Sequence, residues 1–191
     1  MHITVFCASS QPTNPHFSEA AAALGRGIAL AGHTLLYGGS NLGLMGTLAS
    51  AAMEHGGHVV AVIPTLFSEE IIRSQAVTEL VRVRSMAERK EYLIAHSDAF
   101  VALPGGIGTL DEVSEVMVAN QLQIVNGQRV LDGSYRQKPM ILLNIDGYFD
   151  PFLAQIQRAH DEGLMRTTAG LVAVSSVEEI FKRLAPCGAE I

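Results

Sequence analysis

The sequence predicts an α/β protein with a doubly wound, Rossmann-like parallel sheet that carries helices on both faces. Short apolar, β-branched runs alternate with longer amphipathic stretches, which is typical of parallel strands joined by helical crossovers. Every run except the first is almost wholly apolar, as expected of strands covered on both faces. Glycine-rich turns follow two of the runs, where such sheets bind ligands. We expect the 191 residues to form one domain.

The apolar runs and the amphipathic stretches define the individual elements. Six strands are predicted, at residues 2–7, 34–37, 58–63, 99–103, 140–145 and 171–174. Six helices are predicted, at about residues 14–31, 43–55, 86–96, 109–124, 149–162 and from 176 onward. Asn14 and Pro15 provide an N-cap and a first-turn proline for the first helix, and Gly32 ends it. Ser176 with Glu179 forms a capping box for the last.

Two segments fall outside this regular alternation. Arg82 and Arg84 alternate on an extended segment, and we expect them to lie on a solvent-facing strand edge. Residues 125–138 contain two X-Gly turn signals, which predict a small hairpin or flap.

The composition excludes several classes of function. A formal charge of −6, from 19 acidic and 13 basic residues, argues against a nucleic-acid-coating surface. The chain shows no signal-peptide pattern and no apolar run long enough for a membrane helix, so we expect no membrane partner. Two cysteines, Cys7 and Cys187, form no disulfide framework, which favours the cytoplasm. Seven scattered histidines show no ligand spacing, so we expect neither metal nor cofactor.

The glycine-rich stretch at 104–112, P-G-G-I-G-T-L-D-E, predicts an anion-binding turn between a strand and a helix. Gly105, Gly106 and Gly108 let the backbone approach a ligand, and the first turn of the helix has free N–H groups. Thr109 either caps the helix or contacts a phosphate oxygen. Glu112 either complements the helix dipole, as Asp111 would, or faces the sugar of a bound nucleotide.

A second glycine-rich stretch, G-G-S-N-L-G-L-M-G at 38–46, also joins a strand to a helix. It matches neither the dinucleotide fingerprint nor the Walker pattern. Its glycines either make a tight turn and close helix packing or form a second part of the ligand site. Ser9, after the first strand, either donates into the same cleft or serves only the turn.

A pair of cations opens the helix predicted at 86–96. Arg89 and Lys90 lie near its start, where the dipole disfavours cations, so they either serve an anionic ligand or lie on a solvated face neutralised by Glu88 and Glu91.

Four stretches together resemble the Lonely-guy family, which older usage labels "lysine decarboxylase": F-C-A-S-S at 6–10, the glycine stretch at 38–46, M-A-E-R-K at 86–90 and the stretch at 104–112. The resemblance covers about residues 2–162 and includes N-I-D-G-Y-F-D at 144–150. It implies hydrolysis of the N-glycosidic bond of a nucleoside 5′-monophosphate, either AMP or a cytokinin riboside 5′-monophosphate, to a free base and ribose 5-phosphate. It also implies a homodimer formed near Met86 and the 109–124 helix.

The resemblance makes Arg89 and Glu112 the catalytic pair. The substrate-binding residues that it implies are Lys90, Gly105, Gly106, Ile107, Gly108, Thr109, Glu70, Gly38, Gly39, Gly43, Met45, Gly46, Ser9 and Met86. Molybdenum-cofactor carrier proteins resemble the same fold and glycine motifs, so a non-catalytic nucleotide or cofactor carrier is the alternative. No pyridoxal-phosphate lysine motif is present to favour lysine decarboxylation.

Overall fold

A computed structural model describes residues 1–67, 77–125, 128–129, 136–165, 167–168 and 170–185. The strands are β1 (His2–Phe6), β2 (Thr34–Tyr37), β3 (His58–Pro64), β4 (Glu79–Val83), β5 (Ala99–Ala102), β6 (Ile124–Val125), β7 (Gln128–Arg129), β8 (Met140–Leu143) and β9 (Leu171–Val174). The helices in this part of the chain are α1 (Pro15–Leu30), α2 (Gly43–Glu54), α3 (Met86–Ala95), α4 (Ile107–Leu122), α5 (Asp150–Asp161) and α6 (Val177–Leu184).

Seven strands form one parallel sheet in the order β4-β3-β2-β1-β5-β8-β9. Helices α1, α2 and α6 pack on one face, through buried residues such as Leu24, Leu48 and Ile180. Helices α3, α4 and α5 pack on the other face, through residues such as Leu93 and Val116. The central strands β1, β2, β3, β5 and β8 are buried on both faces, which accounts for their almost unbroken apolar runs. The predicted doubly wound α/β fold is confirmed.

The six predicted strands are present, most of them with ends shifted by one or two residues, and one further strand joins the sheet. This strand, β4, pairs with β3 at the sheet edge and exposes Arg82, as expected for that segment. Its alternation of polar and apolar residues is that of an edge strand. At the start of the stretch 125–138, predicted to form a small hairpin or flap, β6 and β7 pair antiparallel. Residues 126–127 and 130–135 of that stretch lie outside the described residues.

The first strand lies at the centre of the sheet and fixes the position of the site. From β1 the strand order runs to β2, β3 and β4 on one side and to β5, β8 and β9 on the other. Loops that follow strands on opposite sides of such a switch point diverge and leave a crevice at the carboxyl ends of the strands. The two glycine-rich stretches follow β2 and β5, so both border this crevice.

Candidate active site

A cavity of about 510 Å³ lies at the carboxyl ends of β1, β2, β3 and β5. This volume is in the range of small-molecule sites. Its lining residues come from the loops after these strands and from the starts of α2, α3 and α4: Cys7, Ala8, Ser9, Ser10, Gly38, Gly39, Ser40, Asn41, Leu42, Met45, Ile63, Phe67, Met86, Arg89, Gly106, Gly108, Thr109 and Glu112.

The cavity contains a buried ion pair between α3 and α4. Arg89 Nη2 donates a hydrogen bond of 2.6 Å to Glu112 Oε1. Arg89 is 8% exposed and Glu112 3% exposed, so neither lies on a solvated face. Arg89 Nε is buried and has no hydrogen-bond partner among the described residues. Buried charges of this kind are costly unless they are paired and hydrogen-bonded, and this pair places both of its charges in the wall of the cavity.

Burial is the main cause of the pKa shifts of Glu112 and Cys7. The pKa of Glu112 is raised, chiefly because burial disfavours the charged carboxylate, while the charge of Arg89 opposes the shift. Burial also raises the pKa of the Cys7 thiol, and the negative charge of Glu112 adds to the effect. Cys7 is therefore a neutral thiol beside the carboxylate. A buried carboxylate facing a cation can stabilise positive charge that develops on a ligand.

The glycine-rich stretch at 104–112 forms the turn into α4. The helix begins at Ile107, with Gly106 as an N-cap that has no side chain to satisfy the first N–H groups. Such a terminus favours an anion. Thr109 is not the cap, contrary to one alternative, and its buried side chain lines the cavity. A Cβ at Gly105 would collide with Thr109 Oγ1, so glycine is required there for packing.

The early start of α4 argues against one of the two explanations for the acidic residues. Asp111 and Glu112 lie beyond the first turn, which contains no acidic residue. The helix dipole acts mainly on the first turn, so it does not account for either carboxylate.

The stretch at 38–46 contains residues that line the cavity and glycines that are required for close packing. Gly38, Gly39 and Met45 line the cavity. Gly43 and Gly46 are not among the described lining residues, and a Cβ at either would collide with neighbouring backbone. Gly39 and Gly43 also have φ angles of 82° and 59°, which side chains rarely adopt.

Gly38 has a specific neighbour in the ion pair. A Cβ at this position would stand 3.0 Å from Arg89 Nη1 and 3.2 Å from Met45 Cε. The absence of a side chain at Gly38 therefore leaves room for the guanidinium.

Not every predicted site residue reaches the cavity. Lys90 Nζ lies 3.0 Å from Asp111 Oδ2 and 2.8 Å from Glu115 Oε2, and it is not among the lining residues. Ile107 is 81% exposed and is also absent from the lining. Glu70 lies outside the described residues. The substrate-binding roles of these three residues stay predictions.

The solvated-face alternative for the cations is wrong for Arg89. Glu88 instead accepts hydrogen bonds from the backbone N–H and the Nε of Arg84, so it does not neutralise the α3 cations. The carboxylates that pair with Arg89 and Lys90 come from α4.

Several lining residues, among them Cys7, Ile63 and Phe67, were not predicted from the sequence as site residues. In the sequence Cys7 is indistinguishable from a small residue of the core. Only its place just after the central strand β1 indicates that it lies at the cavity. Ile63 and Phe67 lie at and just after the end of β3, next to the switch point, and close the cavity with apolar surface. An apolar residue gives no chemical signal in a sequence.

The described part of the chain holds no group of three or more His, Cys, Asp or Glu side chains arranged for a metal ion. No helix in that same part is long and apolar enough to cross a membrane.

Comparison with known proteins identifies the family of this chain. A family model described as "Possible lysine decarboxylase" matches residues 45–184. Cytokinin riboside 5′-monophosphate phosphoribohydrolase LOG4 of Arabidopsis thaliana is 38% identical over 97% of this chain and 83% of its own length. The enzyme LOG1 of the same plant is 39% identical over 95% of this chain and 81% of its own length. The chain belongs to the Lonely-guy family. Arg89 and Glu112 of this Lonely-guy protein lie within the region that the family model matches.

Solved structures share the fold of this Lonely-guy protein. A molybdenum cofactor binding protein from Rippkaea orientalis aligns with a TM-score of 0.67 and 26% identity, over 96% of this chain and 94% of the other. The Moco carrier protein of Chlamydomonas reinhardtii aligns with a TM-score of 0.69 and 23% identity over the same shares.

Proposed function

We propose that this Lonely-guy protein hydrolyses the N-glycosidic bond of a nucleoside 5′-monophosphate, releasing a free base and ribose 5-phosphate. The observation that carries the proposal is the buried Arg89–Glu112 pair at 2.6 Å, placed in a cavity bordered by two glycine-rich turns. Relatives 38% and 39% identical over nearly the whole chain are named as phosphoribohydrolases, which supports the same reaction.

Glu112 is proposed to act on the sugar. Cleavage of the glycosidic bond develops positive charge at the anomeric carbon. A carboxylate held in a buried site stabilises such charge more strongly than one in water, or it orients the attacking water molecule. Burial raises the pKa of Glu112 above its ordinary value, which makes the ionised carboxylate a stronger base for activating water.

Arg89 is proposed to hold Glu112 in place and to assist the leaving base. Its Nη2 donates to the carboxylate, and the side chain lines the cavity, where its guanidinium can face the leaving base. Close packing beside Gly38 and Met45 restricts the position of the guanidinium. The substrate and the Glu112 carboxylate therefore both contact a cation that is held in one place.

The N-terminus of α4 is proposed to bind the 5′-phosphate. Gly106, Gly108 and Thr109 line the cavity at this terminus. N–H groups and the helix dipole stabilise an anion there without a basic side chain. Binding energy at the phosphate then orients the ribose toward Glu112.

A molybdenum-cofactor carrier is the second candidate, since two solved neighbours have that name. The enzyme is favoured because the named phosphoribohydrolases are 38% and 39% identical, against 26% and 23% for the two carriers. The carrier alternative also gives no chemical role to a buried carboxylate–guanidinium pair.

We further propose a single-domain, cytoplasmic protein that forms a homodimer through α3 and α4. Met86, Val118 and Leu122 expose 41%, 50% and 44% of their surface on these two helices, and exposed apolar side chains on neighbouring helices suit an interface. Size-exclusion chromatography with light scattering tests the dimer: we expect twice the chain mass of 20.4 kDa, and a monomeric mass contradicts it.

Product analysis tests the reaction. Purified protein is incubated with AMP and with isopentenyl-AMP, and free base and ribose 5-phosphate are measured by chromatography. We expect equal amounts of the two products from at least one substrate. Tight binding of the nucleotide without release of base contradicts the enzyme and supports the carrier.

A further inference from the structure

The segment Asn144–Asp150 between β8 and α5 contacts the phosphate-binding turn from outside the cavity. Tyr148 Oη donates a hydrogen bond of 2.7 Å to the carbonyl oxygen of Gly105. Neither Tyr148 nor Gly105 is among the described lining residues, whereas Gly106 is. The hydrogen bond therefore holds the outer side of the turn whose inner side faces the ligand.

The Tyr148 ring is held in place by its neighbours. Phe17 of α1 and Phe149 contact it edge to face, with ring centroids 5.4 Å and 5.2 Å away. Asn144 fixes the segment by accepting from the N–H of Phe149 and donating to Asp150 Oδ1, each at 2.7 Å. The hydroxyl therefore reaches Gly105 from a fixed support.

The backbone before Tyr148 is also strongly constrained. Asp146 and Gly147 have φ angles of 52° and 70°, the left-handed region that a residue with a side chain rarely adopts. The Asp146 carboxylate contacts the side chains of Asn14 and His16 at 2.9 Å and 3.0 Å. A conformation that costs energy is thus kept by contacts to the start of α1.

The hydrogen bond to the Gly105 carbonyl also sets the orientation of the Gly106 N–H. The Gly105 carbonyl and the Gly106 N–H belong to one peptide unit, and in a trans peptide they point in opposite directions. A carbonyl held outward toward Tyr148 directs the Gly106 N–H to the opposite side. No acceptor among the described residues pairs with that N–H.

A peptide between two glycines rotates easily, because neither residue has a Cβ to restrict it. Rotation of this unit would replace a donor by a carbonyl oxygen on the ligand side. An oxygen there would repel a phosphate.

We propose that Tyr148 is a positioning residue that fixes the orientation of the Gly105–Gly106 peptide, so that the Gly106 N–H donates to the 5′-phosphate of the substrate. The inference rests on the proposed function, since it assigns a phosphate to that turn. It gives a role to the segment at 144–150, which supplies no residue to the cavity.

The test compares Tyr148→Phe with Tyr92→Phe. The first keeps the ring contacts and removes only the hydroxyl. The second removes the same group from a ring that stacks on His96 of α3's C-terminal end, away from the cavity lining. Calorimetry measures the Kd for ribose 5-phosphate and for adenosine, and steady-state assays with AMP measure kcat and KM. Thermal unfolding checks that both variants fold.

We expect Tyr148→Phe to raise the Kd for ribose 5-phosphate and the KM for AMP by about five- to tenfold, the usual effect of one lost hydrogen bond. The kcat, the Kd for adenosine and every value for Tyr92→Phe should match wild type. Unchanged affinity for ribose 5-phosphate overturns the inference, as does an equal loss for adenosine, which has no phosphate. If wild type binds ribose 5-phosphate but releases no base from AMP, the proposed function fails, and the two Kd values still decide the role of Tyr148.

Discussion

Two ionic contacts join the same pair of helices one residue apart, in very different surroundings. Arg89 of α3 pairs with Glu112 of α4 inside the cavity, and the two side chains are 10% and 4% exposed. The next residue, Lys90, pairs with Asp111 and Glu115 at the surface, where the carboxylate side chains are 56% and 44% exposed. Neighbouring residues on a helix point about 100° apart, so one pair faces the cavity and the other faces outward.

Burial gives the two ion pairs different energetic consequences. A surface ion pair contributes about 0–1 kcal/mol to stability, because water screens it. A buried pair costs desolvation energy that its mutual attraction does not always recover. The position of the buried pair beside a ligand-sized cavity therefore supports the catalytic role that we propose for it. The predictions below test this contrast between the inner pair (Arg89 and Glu112) and the outer group (Lys90, Asp111 and Glu115).

Replacement of the inner carboxylate should have the largest effect. We expect Glu112→Gln to lower kcat/KM for AMP by about 10³-fold, because the amide cannot stabilise positive charge or activate water. The matched control is Asp111→Asn, the same change one residue away on the outward face, and it should stay close to wild type. Equal losses in the two variants would remove the distinction between the inner and outer groups.

Replacement of the inner cation should have the next largest effect. Arg89→Lys keeps the charge but loses the planar fork that contacts Glu112 and lines the cavity. We expect kcat/KM to fall about 10²-fold. Arg84→Lys serves as the control, because Arg84 pairs with Glu88 at the surface. An Arg89→Lys variant as active as Arg84→Lys would show that the guanidinium geometry is not needed.

The pH profile should reveal the burial of the inner carboxylate. Burial raises the pKa of Glu112 above its ordinary value of 4.5, and the proposed active form is ionised. Activity should therefore be lost as pH falls through the raised pKa, so the acid limb of kcat/KM should lie above pH 4.5, with about tenfold loss per unit below it. Arg89→Met should move the limb to higher pH, since the arginine charge lowers this pKa. A limb at or below pH 4.5 contradicts the assignment.

The outer group should give the smallest effect. Lys90→Gln removes an amine that two carboxylates already hold away from the cavity lining. We expect a loss of about 0.5 kcal/mol in unfolding free energy by denaturant titration, with KM for AMP near wild type. A tenfold rise in KM would instead support the phosphate contact predicted for Lys90 from the sequence.

The sequence predicted the fold well because strand burial leaves a direct signal. Apolar runs located the six predicted strands, and the glycine turns after β2 and β5 located the crevice. Strand β4 was harder to assign, since an edge strand with Arg82 lacks the continuous apolar run of a central strand.

The site was less predictable because a motif identifies residues but does not show which way their side chains point. Arg89 and Lys90 are adjacent in the sequence, and only the packing of α3 against α4 shows which one faces the cavity. The start of α4 at Ile107 rather than Thr109 moved the two acidic residues out of the first turn. The hydrogen bond between Tyr148 and Gly105 joins residues 43 apart in sequence, and no local pattern indicates it.

A double-mutant cycle on the inner pair tests the central claim most directly. The kcat/KM for AMP is measured for wild type, Arg89→Met, Glu112→Gln and the double variant. When two residues act as one unit, removing either one already abolishes most of their joint contribution to kcat/KM. We therefore expect the kcat/KM of the double variant to be about equal to that of the less active single variant. Losses that simply multiply in the double variant would show that Arg89 and Glu112 act independently, and would contradict the account.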